Sequence, residues 1–167
     1  MRGRLLTGIV GCVLLAPGTA GAATTTVEAE ALALPSSAGM TYGDAAASGG
    51  RALLIWSNGA ATGTVTLQAA RRISVRARGD QCAGAPRMVV EIDGRPLLTA
   101  SVSATGWTTY AADAGLAAGP HTLTVRFTND AVSGGCDRNL RVDSIAFTST
   151  AAAPLAGRRL WVAPDSP

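Results

Sequence analysis

Between Thr24 and Ser149 the chain runs in short stretches of period two, punctuated by glycine. Ile73, Val75 and Ala77 alternate with Ser74, Arg76 and Arg78, the pattern of a strand with one buried face. Met88–Ile92 and Pro96–Val102 flank Asp93-Gly94, a two-residue hairpin signal, because both turn positions need positive φ. Leu123, Val125 and Phe127 repeat the alternation, as do Leu140 and Val142. After Val142 the apolar phase slips by one, to Ile145 and Phe147, which predicts a β-bulge near Asp143. Further strands are expected over Thr25–Leu32, Arg51–Trp56, Thr62–Gln68 and Trp107–Ala111. No stretch shows sustained helical periodicity with caps. About eight or nine strands over about 125 residues predict an all-β fold, an antiparallel β-sandwich.

The two ends of the 167-residue chain read differently. Arg2 and Arg4, the apolar run Leu5–Pro17 and the small residues Ala20-Gly21-Ala22 predict a cleavable export signal over 1–22. Ile9-Val10-Gly11-Cys12 resembles a lipobox, but Cys12 comes early and the apolar run continues past it. A secreted, extracellular protein is therefore expected, with no membrane attachment after cleavage. The sandwich is assigned to 23–150. Ala151–Pro154 then opens a linker and tail over 151–167, whose Leu160-Trp161-Val162 is more strand-like than a linker should be.

Charge narrows the class of partner. All 14 basic residues are Arg, and without Arg2 and Arg4 the remaining 12 stand against 11 acidic residues. They are scattered, so the chain lacks the clustered basic surface that nucleic acid requires. Of three cysteines, Cys12 leaves with the signal, and Cys82 and Cys136 remain. In an oxidising compartment two leftover thiols usually pair, and closing a loop of about 55 residues contributes about 4 kcal/mol. Two separate buried thiols are the alternative.

The candidate chemistry gathers in FTNDAVSGGCDRNL, Phe127–Leu140. Asp130 and Asp137, with Gly134-Gly135 between them, can fold back so that both carboxylates meet one ion. Calcium takes six to eight hard oxygens from such groups. The same composition also describes a solvated turn. Glu28 and Glu30, placed on the first strand, would share one face about 7 Å apart. Two like charges there call for a cation, joined by Asp143 at the bulge, or for a solvated edge that discourages aggregation. Catalytic signals are sparse. His121 is the only histidine, so nucleophilic triads lack a base and zinc lacks its ligands. Asp130 and Asp137 as a glycosidase pair lack apolar surroundings to raise one pKa. Trp56, Trp107 and Tyr110 suit sugar stacking or core packing, and Arg78-Gly79-Asp80 spells an integrin tripeptide by chance.

Taken together, EAEA, SGGRALLIWSNG, ISVRARGDQCAGAPRMVVEIDG and HTLTVRFTND…GGCDRNLRVDSIAF resemble the calcium-dependent carbohydrate-binding modules of families 36 and 60, over about Thr25–Phe147. The resemblance implies a jelly-roll sandwich that binds xylan and related β-glycans through a calcium ion touching sugar hydroxyls. It implies that Asp130, Asp137 and the Cys136 carbonyl hold that ion, and that Glu28, Glu30 and Asp143 hold a structural one, with a carbonyl such as that of Arg51. It also implies a Cys82–Cys136 bridge bracing the loop, with Asp80 nearby as a ligand or sugar contact. Ala131 and Val132 stand where an aromatic is often seen, which weakens stacking and points to tolerance among xylan, cellulose and galactan. The tail PLAGRRLWVAPDSP is similar to the opening strand of family 6 glycoside hydrolases. The chain is expected to be a non-catalytic, monomeric, calcium-dependent polysaccharide-binding module. A fragment of a modular family 6 cellulase, or an adhesion sandwich using calcium only for stability, are the alternatives.

Overall fold

Each alternating run becomes a strand in one of two stacked antiparallel sheets. The protein is described here by a computed structural model covering residues 21–149. Most of the expected signal, and all of the expected linker and tail, lie outside the described residues. In chain order the strands are β1 (Thr24–Glu28), β2 (Gly39–Gly43), β3 (Arg51–Ile55), β4 (Gly59–Leu67), β5 (Ala70–Asp80) and β6 (Arg87–Ile92). They continue with β7 (Arg95–Ser101), β8 (Thr108–Leu116), β9 (Gly119–Phe127), β10 (Val132–Ser133), β11 (Cys136–Asp137) and β12 (Asn139–Thr148). Two 3-10 turns, Ala29–Ala31 and Ser48–Gly50, interrupt them.

One sheet runs β2-β3-β12-β5-β8, with β1 also paired to β12, and the other runs β4-β9-β6-β7. Their inner faces meet in a single core. Leu53, Ile55, Ile73, Val75, Leu140, Val142, Ile145 and Phe147 come from the first sheet, and Met88, Val90, Ile92, Leu123, Val125 and Phe127 from the second. Each such side chain, fully buried, contributes about 1.5–3 kcal/mol relative to exposure. The polar residues between them fall on the outer faces because successive strand side chains alternate.

Among the described residues twelve strands replace the eight or nine expected. The additional ones are β2, a short edge strand bounded by glycines, and the two-residue pair β10–β11 inside the Asp130–Asp137 loop. The β10–β11 pair is too short for a period to register, and β2 buries only a glycine, so no apolar face marks it. The hairpin at Asp93-Gly94 forms with φ of 52° and 76°, as the dipeptide predicts. The predicted bulge is present too: the β12–β5 register shifts between Val142 and Ser144. Val142 and Asp143 are consequently both 0 % exposed, the first in the core and the second on the opposite side.

That bulge coincides with a change of partner. β12 pairs with β3 up to Val142, opposite Leu53, and with β1 from Ser144, opposite Glu28. Asp143 thus sits at the junction where β1 ends and β3 begins.

Candidate functional site: two carboxylate-lined positions

The first position is the loop after β9. Gly134 and Gly135, with φ of 57° and 84°, close the tight turn that pairs Val132 with Asp137 and Ser133 with Cys136. The ladder extends one step, the Arg138 N–H donating to the Ala131 carbonyl at 2.9 Å. In this register Asp130 and Asp137 are diagonal neighbours, about 7 Å apart for regular pairing. The chain therefore turns back on itself between Asp130 and Asp137.

Asp130 is the more constrained of the pair. Its N–H donates to Asn58 Oδ1 at 2.8 Å. Asn129 beside it accepts the Arg87 N–H at 2.6 Å and donates to the Ala85 carbonyl at 2.9 Å, tying the end of β9 to the start of β6. Asp130 Oδ1 is sealed from solvent and has no hydrogen-bond partner. Asp137 is exposed. Cys136 is bonded to Cys82, with the two Cα atoms 5.4 Å apart, so the bridge inferred from cysteine counting forms and pins β11 to the loop after β5.

Sequence reasoning passed over Arg138. Its guanidinium is buried, 8 % exposed, and donates to the carbonyls of Cys82, Ala83, Gly84 and Asn129. An arginine between an aspartate and an asparagine carries no signal of burial, because its partners are main-chain oxygens that every residue possesses.

The second position is the β1–β3–β12 junction. The first strand ends at Glu28, and Glu30 lies on the following 3-10 turn, so the expected placement of both on one strand is corrected. The chain must bend here to leave β12 free for β3. Ser48, on the turn leading into β3, donates from Oγ to Glu28 Oε1 at 2.9 Å and from its N–H to Asp143 Oδ1 at 2.8 Å. Asp143 Oδ2 is paired with Arg76 from β5. Glu28 Oε2 and Glu30 Oε2 are both sealed from solvent without a partner.

Asp80, at the end of β5, is committed elsewhere: Arg141 grips it through Nε and Nη2, the latter at 2.8 Å, and Asn139 approaches at 3.4 Å. This carboxylate pushes the Arg141 guanidinium above its usual range. Arg78 of the tripeptide lies in β5 and pairs with Asp44 at 3.0 Å. The Ala46 N–H on Asp44, followed by Arg78, holds that carboxyl below its ordinary value. The three aromatic candidates are tied into the fold. Arg76 and Arg78 lie 5.3 and 5.0 Å from the Trp107 ring centre, Trp56 Nε1 donates to the Ser37 carbonyl at 3.1 Å, and Tyr110 packs against the core.

A buried carboxylate oxygen without a donor is costly, and a cation relieves it. The sealed oxygens of Asp130, Glu28 and Glu30 therefore fit a hard metal ion at each position. Among the described residues, no three His, Cys, Asp or Glu side chains converge as a metal cluster. An ion at either position would complete its coordination with main-chain carbonyls such as that of Cys136, and with water or ligand oxygens.

Residues 72–158 match the family model of the Ca-dependent, xylan-binding carbohydrate-binding module, family 60. The chain belongs to this family. It is accordingly a non-catalytic carbohydrate-binding module of the calcium-dependent type. Among solved structures the module is similar to a family 36 carbohydrate-binding module in complex with calcium and xylotriose, at 20% identity and a TM-score of 0.56, covering 74% of this chain and 98% of that one. A family 36 domain of a multidomain xylanase from the hindgut metagenome of Trinervitermes trinervoides is 14% identical, with a TM-score of 0.60 and coverage of 78% and 100%. A family 35 module from an environmental isolate is 19% identical, with a TM-score of 0.54 and coverage of 78% and 99%. At these identities the likeness is one of fold. No curated protein matches the chain.

Proposed function

We propose that the module binds xylan through a calcium ion held by Asp130, Asp137 and the Cys136 carbonyl, and keeps a structural calcium at Glu28, Glu30 and Asp143. The observation that carries this reading is Asp130 Oδ1, a sealed carboxylate oxygen with no donor on a backbone anchored from several sides. When bound, calcium supplies open coordination positions at which two neighbouring sugar hydroxyls replace water. The chain's part is to fix Asp130, leave Asp137 accessible, and hold Cys136 through the disulfide. Asp143 arrives at the structural position already bonded to Ser48 and Arg76, so Glu28 and Glu30 supply the uncompensated oxygens there. Asp80 is a positioning residue for Arg141 and Asn139 beside the loop, in place of the direct contact that the resemblance implies.

With the candidate aromatics tied into the fold, recognition of a diol extends to other β-glycans, cellulose and galactan included, at modest affinity. We further infer a secreted monomer, supported by the export-signal pattern of 1–22 and by the disulfide. The similarity of the 154–167 segment to a family 6 hydrolase start supports a role as targeting module in a polysaccharide-degrading system.

Affinity electrophoresis in xylan, cellulose and galactan gels tests the proposal. Retardation by xylan should vanish with chelator and in Asp130→Asn. Retardation that survives chelation would refute the ion-mediated mechanism. Sugar release by the chain alone, abolished in Asp137→Asn, would favour an enzyme instead.

A further inference from the structure

We infer that Arg138 is the positioning residue that preforms the sugar-gripping calcium position before the ion arrives, an inference resting on the function proposed above. Three chain segments must converge there: Cys82–Gly84, Asn129–Ala131 and Cys136–Arg138. The disulfide joins the first to the third through a single covalent link. Arg138 joins all three. Nε donates to the Cys82 and Gly84 carbonyls at 2.9 and 3.1 Å, Nη2 to Cys82 and Ala83, and Nη1 to Asn129. Its own N–H takes the Ala131 carbonyl. The carbonyls of both neighbours of Asp130, Asn129 and Ala131, are thus held by one residue, and Asn58 accepts the N–H of Asp130 itself.

The loop is otherwise poorly determined. Residues 132–137 are exposed, and β10–β11 is two residues long. Ala83 and Gly84 have φ of 48° and 119°, a conformation that an alanine rarely adopts without outside support. The rigid planar fork of a guanidinium offers five donors in fixed directions, whereas an ammonium has three on a flexible stem. Among the described residues, no carboxylate forms a salt bridge with Arg138. Its charge is met by main-chain carbonyls. A residue used only for packing would need neither the charge nor donors directed to two other segments.

The test is calorimetric titration of calcium chloride into metal-stripped wild type, Asp130→Asn, Arg138→Met, Arg138→Lys and Asn58→Ala. Loss of an outer partner typically weakens metal binding 10–100-fold. Arg138→Met and Arg138→Lys should both fall in that range, while xylan affinity at saturating calcium stays near wild type. Asn58→Ala removes one exposed anchor without threatening the core, and should weaken calcium a few-fold. It decides the matter if the Arg138 variants fail to fold. Hydrogen exchange of the 129–131 amides should rise in the calcium-free variants and return to wild-type values with calcium. Wild-type calcium affinity in Arg138→Met, or full rescue by Arg138→Lys, would overturn the inference while leaving the proposed function standing. Absence of calcium binding by the wild type would remove both.

Discussion

Asp130 and Asp137 show how two identical side chains acquire different duties from their surroundings. Asp130 has a sealed oxygen and a fixed backbone, whereas Asp137 faces solvent beside the disulfide. In the proposed ion site, replacing either by Asn removes one of two carboxylate charges, and site affinity follows ligand charge. Calcium binding should weaken about tenfold or more in both variants, with the larger loss in Asp130→Asn, as read by calorimetry. Arg76 carries a different prediction. Asp143 is 0 % exposed and Arg76 is its counter-charge, so Arg76→Met leaves a buried carboxylate partly uncompensated. Removing one partner of a buried pair costs about 3–5 kcal/mol, and the one-third exposure of Arg76 puts the expectation nearer the lower figure. Urea denaturation at neutral pH measures it, and added calcium should recover part of the loss if an ion shares the Glu28–Glu30 position.

At the level of elements, the end of the sandwich formed by the β6–β7 and β8–β9 turns holds a pH-sensitive tie. Both ring nitrogens of His121 face acceptors: Asp93 Oδ2 at 2.7 Å and the Ala117 carbonyl at 3.1 Å. The bond to Asp93, then that to Ala117, raises the imidazole pKa, and the same pairing lowers that of Asp93. The histidine's contribution is complete below its ordinary value of 6.5 and fades as pH rises through the raised value. The aspartate's contribution is present above 3.8 and is lost as pH falls through its lowered value. Melting temperature should therefore decline as pH rises from 6.5 through the raised value in wild type, and His121→Gln should flatten that limb. A wild-type curve that is level between pH 6 and 9 would contradict the tie.

For the whole molecule, the proposed ion and the disulfide would act on the same loop by different routes. A calcium ion present at 100 times its dissociation constant contributes about 2.7 kcal/mol by mass action, and chelation withdraws it. The bridge, closing a separation of 54 residues, contributes about 4 kcal/mol through the unfolded chain. Chelation should thus lower the melting temperature reversibly, and reduction should lower it further and weaken calcium binding. Differential scanning calorimetry with each treatment alone and both together separates the two. A combined effect smaller than the sum is expected, because reduction alone already gives up part of the calcium contribution that chelation withdraws.

The alternating pattern by itself determined the sandwich, the Asp93-Gly94 hairpin and the bulge at Asp143, because a period of two and a positive-φ dipeptide are local properties. Cysteine counting pointed to the bridge that forms between Cys82 and Cys136, because two thiols left in one exported domain have only each other. Glu30 was misplaced on the first strand because its turn is imposed by β3, which takes over as the neighbour of β12 at the bulge. Asp80 was read as a ligand because its grip by Arg141 joins positions 61 residues apart. Arg138 was missed because its partners are backbone carbonyls, which leave no mark in a sequence. Only the packed chain decides which carboxylates find donors and which are left for a cation, since that depends on what three distant segments present to one another.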